Sequence, residues 1–217
     1  MKLNPDQISY ICFDFDGVIL DTLQLKEDGF VFAYHDIATA DADVIRSFQR
    51  ANGGKPRHEK FRHFDHLFLK QEPDESRLAA LSKRLSDHIM AGIENCPHIG
   101  GFTAFLSQLK DMNMPVAIAS AMPEYELHEI IAIKKIAPAF RYALGAPRAK
   151  INQLKDIDTQ FRDYPNAPQG LYFGDTMSDH EAAIGAGLNF MGVGHHAGFD
   201  DQDIPFIADF TAVTVTK

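Results

Sequence analysis

The sequence predicts an α/β fold: a parallel sheet with helices on both faces, interrupted near its start by an all-helical insert. Three observations carry this. In the second half of the chain, short β-branched or aromatic apolar runs alternate with amphipathic helical stretches. One further apolar run, residues 8–15, stands alone near the start. Between about residues 22 and 95 the periodicity is helical throughout, with no convincing strand.

The elements follow in order. Residues 8–15 are apolar apart from Ser9 and Asp14 and end in a carboxylate cluster, which reads as a buried strand. In the insert, residues 56–71 place Phe61, Phe64 and Phe68 on one side of a helix, and Leu78, Leu81, Leu85 and Ile89 repeat that spacing further on. Residues 115–120 (PVAIAS), 142–144, 170–173 (GLYF) and 189–193 (NFMGV) read as further strands. Helical patterns at 101–112, 124–135, 150–161 and 178–186 separate them. The expected organisation is a core of residues 1–21 and 96–217 and a helical domain of residues 22–95. There is no internal repeat or low-complexity tract.

Composition narrows the function classes. The 217 residues include 17 Phe and are 45% hydrophobic, ample for a packed core. A net charge of −9 argues against a general nucleic-acid or membrane-surface binder, which needs a basic face. Two cysteines, Cys12 and Cys96, make no disulfide framework, and Cys12 reads as a small buried hydrophobe. No uninterrupted apolar stretch reaches the roughly 18 residues of a membrane span. The first residues lack the apolar segment of a signal peptide, so a soluble cytosolic protein is expected.

Two acidic motifs carry the chemistry. Asp14-Phe15-Asp16-Gly17-Val18-Ile19-Leu20-Asp21-Thr22 closes the first strand, and Gly174-Asp175-Thr176-Met177-Ser178-Asp179 closes a later one. Ligands of open α/β sheets gather at such carboxyl ends. Carboxylates crowded there repel and lose hydration, and a hard divalent cation bound through oxygens relieves both costs. Asp21 and Ser178 are equally well explained as turn formers or helix caps. Ser120 closes the run 115–120, and Pro123 suits the first turn of the next helix. A hydroxyl beside free N–H groups at a helix start makes a phosphate site, although an ordinary Ser cap accounts for Ser120 alone. Lys150 opens a helical pattern after a Pro-containing loop. A cation there opposes the helix dipole, so its position needs another cause, such as an anionic site.

In this order, DFDGVILDT, a strand-end Ser, a Lys after a Pro-containing loop and GDTMSD, the sequence resembles the haloacid dehalogenase superfamily, specifically its phosphatase and phosphomutase branch. The motifs span the whole core. The insert after the first motif resembles the helical cap of the phosphoglycolate phosphatase and β-phosphoglucomutase groups, and the resemblance implies a Rossmann-like core. It also implies Asp14 as nucleophile, forming an aspartyl phosphate, and Asp16 as general acid and then base. Ser120 and Lys150 would hold the transferring phosphoryl group, with Gly17 and Ala121 lining its site. Mg²⁺ would be bound by Asp14, the Asp16 backbone carbonyl and Asp175, with Asp179 a direct ligand or one step removed. Family members often carry Asn or Gly after the motif-two hydroxyl; here Ala121 and Met122 follow, leaving the Ala121 N–H in place of a side-chain contact. Asp16 itself disfavours dehalogenase and phosphonatase chemistry, whose enzymes lack an Asp there.

The insert contains an unusual run. Residues 55–64 hold four Lys or Arg and two His in an acidic chain. Arg57 falls on the face of Phe61, Phe64 and Phe68, where a cation either snorkels or points into a site. The Gly53-Gly54 turn with Lys55 and Arg57 resembles the substrate-specificity loop of related enzymes, which implies Gly54, Lys55 and Arg57 as contacts to an anionic leaving group. His63 and His66 have a possible metal spacing, but a pair without further ligands reads as surface. His195-His196 follows a strand and receives no role.

The sequence thus predicts a Mg²⁺-dependent phosphatase of a small sugar or organic-acid phosphate. A phosphomutase using the same aspartyl phosphate is the first alternative, and a catalytically retired binding or regulatory module is the second. If the cap gates the site, its hinges fall near Asp21-Thr22 and residues 95–100.

Overall fold

The structure, a computed structural model, describes residues 1–162 and 168–215. The chain divides into two compact units, Met1–Asp21 with Pro97–Lys217, and Thr22–Cys96. Cys96 groups with the helical unit, one residue beyond the range expected for it, and residues 163–167 and 216–217 of the core range lie outside the described residues.

The first unit is built on a six-stranded sheet. Its strands are β2 (Ile11–Phe13), β3 (Val116–Pro123), β4 (Tyr142–Ala146), β5 (Leu171–Gly174), β6 (Asn189–Val193) and β7 (Phe206–Ile207). The order is β4-β3-β2-β5-β6-β7, and every pairing is parallel. A separate two-stranded sheet joins β1 (Lys2–Leu3) to β8 (Thr214–Val215). The helices between strands are α5 (Phe102–Asp111), α6 (Glu124–Ile133), α7 (Lys150–Phe161), α8 (Met177–Ala186) and the short α9 (Ala197–Asp201).

The two-residue period of each strand divides the core. Tyr10, Cys12, Ala117, Ala119 and Tyr172 face one way and pack with Leu154 and Ile157 of α7 and Ala183 of α8. Phe13 and Phe173 face the other way, stacked 5.4 Å apart between centroids. There Phe13 meets Phe102 and Phe105 of α5 edge-on, at 5.5 and 6.2 Å, and Phe210 at 6.0 Å. Helices thus cover both faces of the sheet.

Several predicted boundaries move. Residues 8–15 shrink to the three of β2, because the chain after Phe13 turns rather than extends. The run 115–120 continues to Pro123, with an irregular register against β4 between Ala119 and Pro123, so Ser120 lies inside β3 rather than at its end. Pro123 is accordingly the residue capping α6, not its first helical one. The run 142–144 extends to Ala146, and β1, β7 and β8 were not anticipated.

The second unit is helical: α1 (Leu23–Ala33), α2 (Ala42–Ala51), α3 (Arg57–Leu69) and α4 (Glu75–Gly92), closed by a short 3₁₀ turn at Ile93–Asn95. Asp41 caps α2 by accepting from Asp43 N and Val44 N, and Asp74 caps α4 by accepting from Arg77 N. Phe30, Tyr34, Phe61, Phe64, Leu78, Leu81, Leu85 and Ile89 are buried. The interior also holds charge. Asp65 accepts from Tyr34 Oη at 2.8 Å and pairs with Arg77, whose Nη2 lies 2.9 Å away. Lys60 Nζ donates to Gln49 Oε1 at 2.8 Å and to the Gly53 carbonyl at 3.1 Å, and stands 5.3 Å over the Phe30 ring.

The chain leaves and re-enters the first unit at one place. Asp21 N donates to the Pro97 carbonyl and Ile99 N to the Ile19 carbonyl, both at 3.0 Å, and Leu20 bridges to His98. Among the described residues no helix is long and apolar enough to cross a membrane.

The aromatic cluster around Phe13 yields a direct expectation. Phe13 is fully buried. Phe13→Ala should lower the unfolding free energy by about 3–5 kcal/mol, read as a shifted urea midpoint at unchanged slope.

Candidate active site

The strand order reverses at β2, with β3 on one side and β5 on the other, and ligands of open α/β sheets gather beyond the carboxyl ends at such a reversal. Asp14 follows β2 directly and is anchored by its N–H to the Phe173 carbonyl at 2.8 Å. The next residues form a tight turn, with Ile19 N bonded to the Phe15 carbonyl and Gly17 N to the Leu20 carbonyl. Gly17 has φ +77°, and a Cβ there would come 2.3 Å from Asp175 Oδ2. Glycine is therefore required twice over, for its left-handed backbone and for the close approach of a second carboxylate. Asp16 is buried in the same turn.

Asp175 follows β5, the other neighbour of β2. Thr176 and Asp179 form a capping box at the start of α8: Asp179 N donates to Thr176 Oγ1, and Thr176 N donates to Asp179 Oδ2. Asp179 has no exposed surface. Its Oδ2 also accepts from Thr176 Oγ1 at 2.6 Å, and its Oδ1 accepts from Tyr172 Oη at 3.1 Å and from Lys150 Nζ. With about four acceptor positions on a carboxylate, Asp179 is saturated.

Lys150 is the first residue of α7. Its ammonium lies 3.0 Å from Asp14 Oδ1 and pairs with Asp179 Oδ1. Two buried carboxylates thus account for a cation at a helix start, against the helix dipole.

Oxygens of Asp14, Asp175 and Asp179 all lie within 4.8 Å of one another. Burial pushes the Asp14 carboxyl up to about 7, with Asp179 and Asp16 adding to the rise and Lys150 opposing it. Burial, then Asp179 and Asp14, holds Asp175 well above the usual carboxylate range. Burial would raise Asp179 too, but Lys150 and the Thr176 and Tyr172 hydrogen bonds outweigh it and hold its carboxyl low. Lys150 is disfavoured by burial yet raised overall by Asp14 and Asp179. A hard divalent cation fits this donor set: two carboxylates, Asp14 and Asp175, disfavoured as anions and not saturated as Asp179 is.

The remaining predicted residues divide. Ser120 is fully buried, and its Oγ accepts from Met122 N at 3.1 Å; Ala121 beside it is half-buried. Gly54, Lys55 and Arg57 belong to the helical unit. Lys55 is exposed, while Arg57 is half-buried and donates from Nη1 to Ser86 Oγ at 2.9 Å and Ser82 Oγ at 3.4 Å. His63 stacks on Phe48 at 4.0 Å. Sequence reasoning missed Thr176, Tyr172 and Gln153. The pattern Thr176-x-x-Asp179 was available as a capping box, but nothing marked the other two.

A family model for haloacid dehalogenase-like hydrolases matches residues 11–193, most of the chain. The chain belongs to the haloacid dehalogenase-like hydrolase family. Its curated relatives include a phosphoglycolate phosphatase of Rhodobacter capsulatus, 25% identical over 189 residues that cover 83% of this chain and 82% of the relative. Among solved structures, a predicted phosphoglycolate phosphatase from Haemophilus somnus superposes with a TM-score of 0.75 at 18% identity, covering 94% of this chain and 95% of that one. A β-phosphoglucomutase from Clostridium difficile superposes with a TM-score of 0.73 at 17% identity, covering 93% and 91%. At these identities the two structures establish a shared fold.

The raised Asp14 carboxyl sets a stability slope for this family member without metal. In the unfolded chain it ionises near 3.8, and in the fold near 7. Between those values the folded state binds more protons, so the Asp14 contribution to stability falls as pH rises from about 4 to 7. Asp14→Asn removes that contribution. In EDTA, unfolding free energies across that window should move progressively in favour of the variant over the parent.

Proposed function

We propose that this protein is a cytosolic, Mg²⁺-dependent phosphatase that hydrolyses a small sugar or organic-acid phosphomonoester through an aspartyl phosphate on Asp14. The observation that carries the reading is the buried Asp14 with the Lys150 ammonium 3.0 Å from one oxygen and the Asp175 carboxylate beside it. Such groups repel or cost desolvation unless an anionic substrate and a cation use them.

The phosphoryl chemistry needs positioning and charge neutralisation more than unusual groups. An Asp14 oxygen attacks phosphorus as the bond to the leaving oxygen breaks, and Asp16 gives that oxygen its proton. Asp16 then takes a proton from water, whose oxygen attacks the same phosphorus; the Asp14–phosphorus bond breaks and phosphate leaves. Lys150 and the Ser120 hydroxyl hold the phosphoryl oxygens, with Gly17 and the Ala121 N–H lining the site. Asp179 acts through Lys150, since its own oxygens are occupied. Asp14, Asp175 and the Asp16 carbonyl would hold the cation, which supplies positive charge to the phosphoryl oxygens when bound. Lys55 and Arg57 select an anionic leaving group, with the Gly54 turn presenting them.

A panel of phosphorylated metabolites, assayed for phosphate release with and without Mg²⁺, tests the reading. Asp14→Asn should abolish release, and Asp16→Asn should lower kcat about 10²–10⁴-fold. Formation of an isomer without phosphate release would assign a mutase instead. Mg²⁺ at about 100 times its Kd should stabilise the parent by about 2.7 kcal/mol, and Asp175→Asn should lose that gain. Replacing Lys55 and Arg57 together by Ala should raise KM for the best metabolite while leaving p-nitrophenyl phosphate turnover unchanged; unchanged KM would remove them from substrate selection.

A further inference from the structure

The geometry points to Gln153 as a positioning residue that locks Ser120 and Lys150 into one rigid phosphate-holding unit, an inference that rests on the phosphoryl-transfer reading above. Gln153 lies in the first turn of α7 and is fully buried. Its Nε2 donates to the Ser120 carbonyl at 3.0 Å and to the Arg148 carbonyl at 2.7 Å. Those two bonds use both hydrogens of the amide nitrogen. The acceptors belong to different segments. Ser120 is part of β3, and Arg148 lies in the loop after β4, two residues before Lys150. One side chain therefore ties the backbone carrying the hydroxyl to the backbone presenting the ammonium.

The other end of the same amide shows why packing alone does not explain it. Gln153 Oε1 is buried and has no hydrogen-bond partner among the described residues. A buried acceptor without a donor is destabilising, and an apolar side chain of similar volume would avoid that cost. The Ser120 hydroxyl is itself oriented, since its oxygen accepts from Met122 N. Its hydrogen and the Lys150 ammonium can grip one phosphoryl group only while the two segments keep their spacing, and catalytic constellations tolerate displacements of about 0.5 Å. Gln153 supplies the link that holds that spacing.

The test uses the full-length protein with p-nitrophenyl phosphate and Mg²⁺, and orthovanadate as a mimic of the transferring phosphoryl group. In Gln153→Met and Gln153→Glu the donors to both carbonyls are lost. Each variant should lower kcat about 10- to 100-fold and weaken vanadate inhibition by a similar factor, while the Mg²⁺ activation constant stays within about twofold. Unchanged kcat and vanadate affinity in either cooperatively melting variant would overturn the inference. So would a Mg²⁺ constant that moves in step with kcat, which signals general loosening of the site, or failure of both variants to melt cooperatively, which makes Gln153 a folding residue. If the parent itself shows no Asp14-dependent phosphate release, the phosphatase reading fails. An active parent with unaffected Gln153 variants sinks the coupling alone.

Discussion

The Lys150 ammonium, buried between Asp14 and Asp179, is the contact on which the arrangement at the end of the sheet depends. Taking that cation out of water is costly, and leaving it without either carboxylate would be more so. Its position is therefore set from two directions. Asp14 is fixed by the end of β2 and its bond to the Phe173 carbonyl, and Asp179 by the Thr176 capping box and the Tyr172 hydroxyl. A shift of either carboxylate would leave the buried ammonium with one partner instead of two. This explains why a basic residue occupies the first position of α7, where the helix dipole disfavours it.

The sheet makes this cluster possible and also bears its cost. Parallel strands deliver their carboxyl ends to one side, so β2 and β5, neighbours in space, place Asp14 and Asp175 together although 161 positions separate them in the chain. The like charges gathered there are offset by apolar packing below them. The aromatic cluster of Phe13, Phe102, Phe105, Phe173 and Phe210 covers one face of the same strands, and Tyr10, Tyr172, Leu154 and Ile157 cover the other. Each residue of the strand interiors serves one layer, while Asp14 and Asp175, just past the ends of β2 and β5, stand clear of both.

The parts of this fold with a strong local signal were legible. The helix at Lys150–Phe161 and the strand at Asn189–Val193 have the bounds their periodicity predicts, because a single buried face dictates each pattern. The two-residue strands β1, β7 and β8 carry too few positions to show any alternation. Ser120 was misplaced for a specific reason: Pro123 reads as a helix start, whereas the irregular register beside it lets β3 run on to that proline. The crowding of Asp14, Asp175 and Asp179 followed from two acidic motifs after two buried strands. Asp65, Lys60, Gln153 and Tyr172 stayed invisible because a buried polar residue is recognised only by its partner, and their partners lie on other elements.

The paired crossing at Asp21 and Pro97 has a wider consequence. Because the outgoing and returning strands of chain are bonded to each other within the sheet-bearing unit, everything between them is topologically a side branch. Its length and composition can drift without altering the register of a single sheet strand. Such a scaffold lets selection rewrite one segment while the sheet and the carboxylates beyond its strands, encoded on either side, are inherited intact.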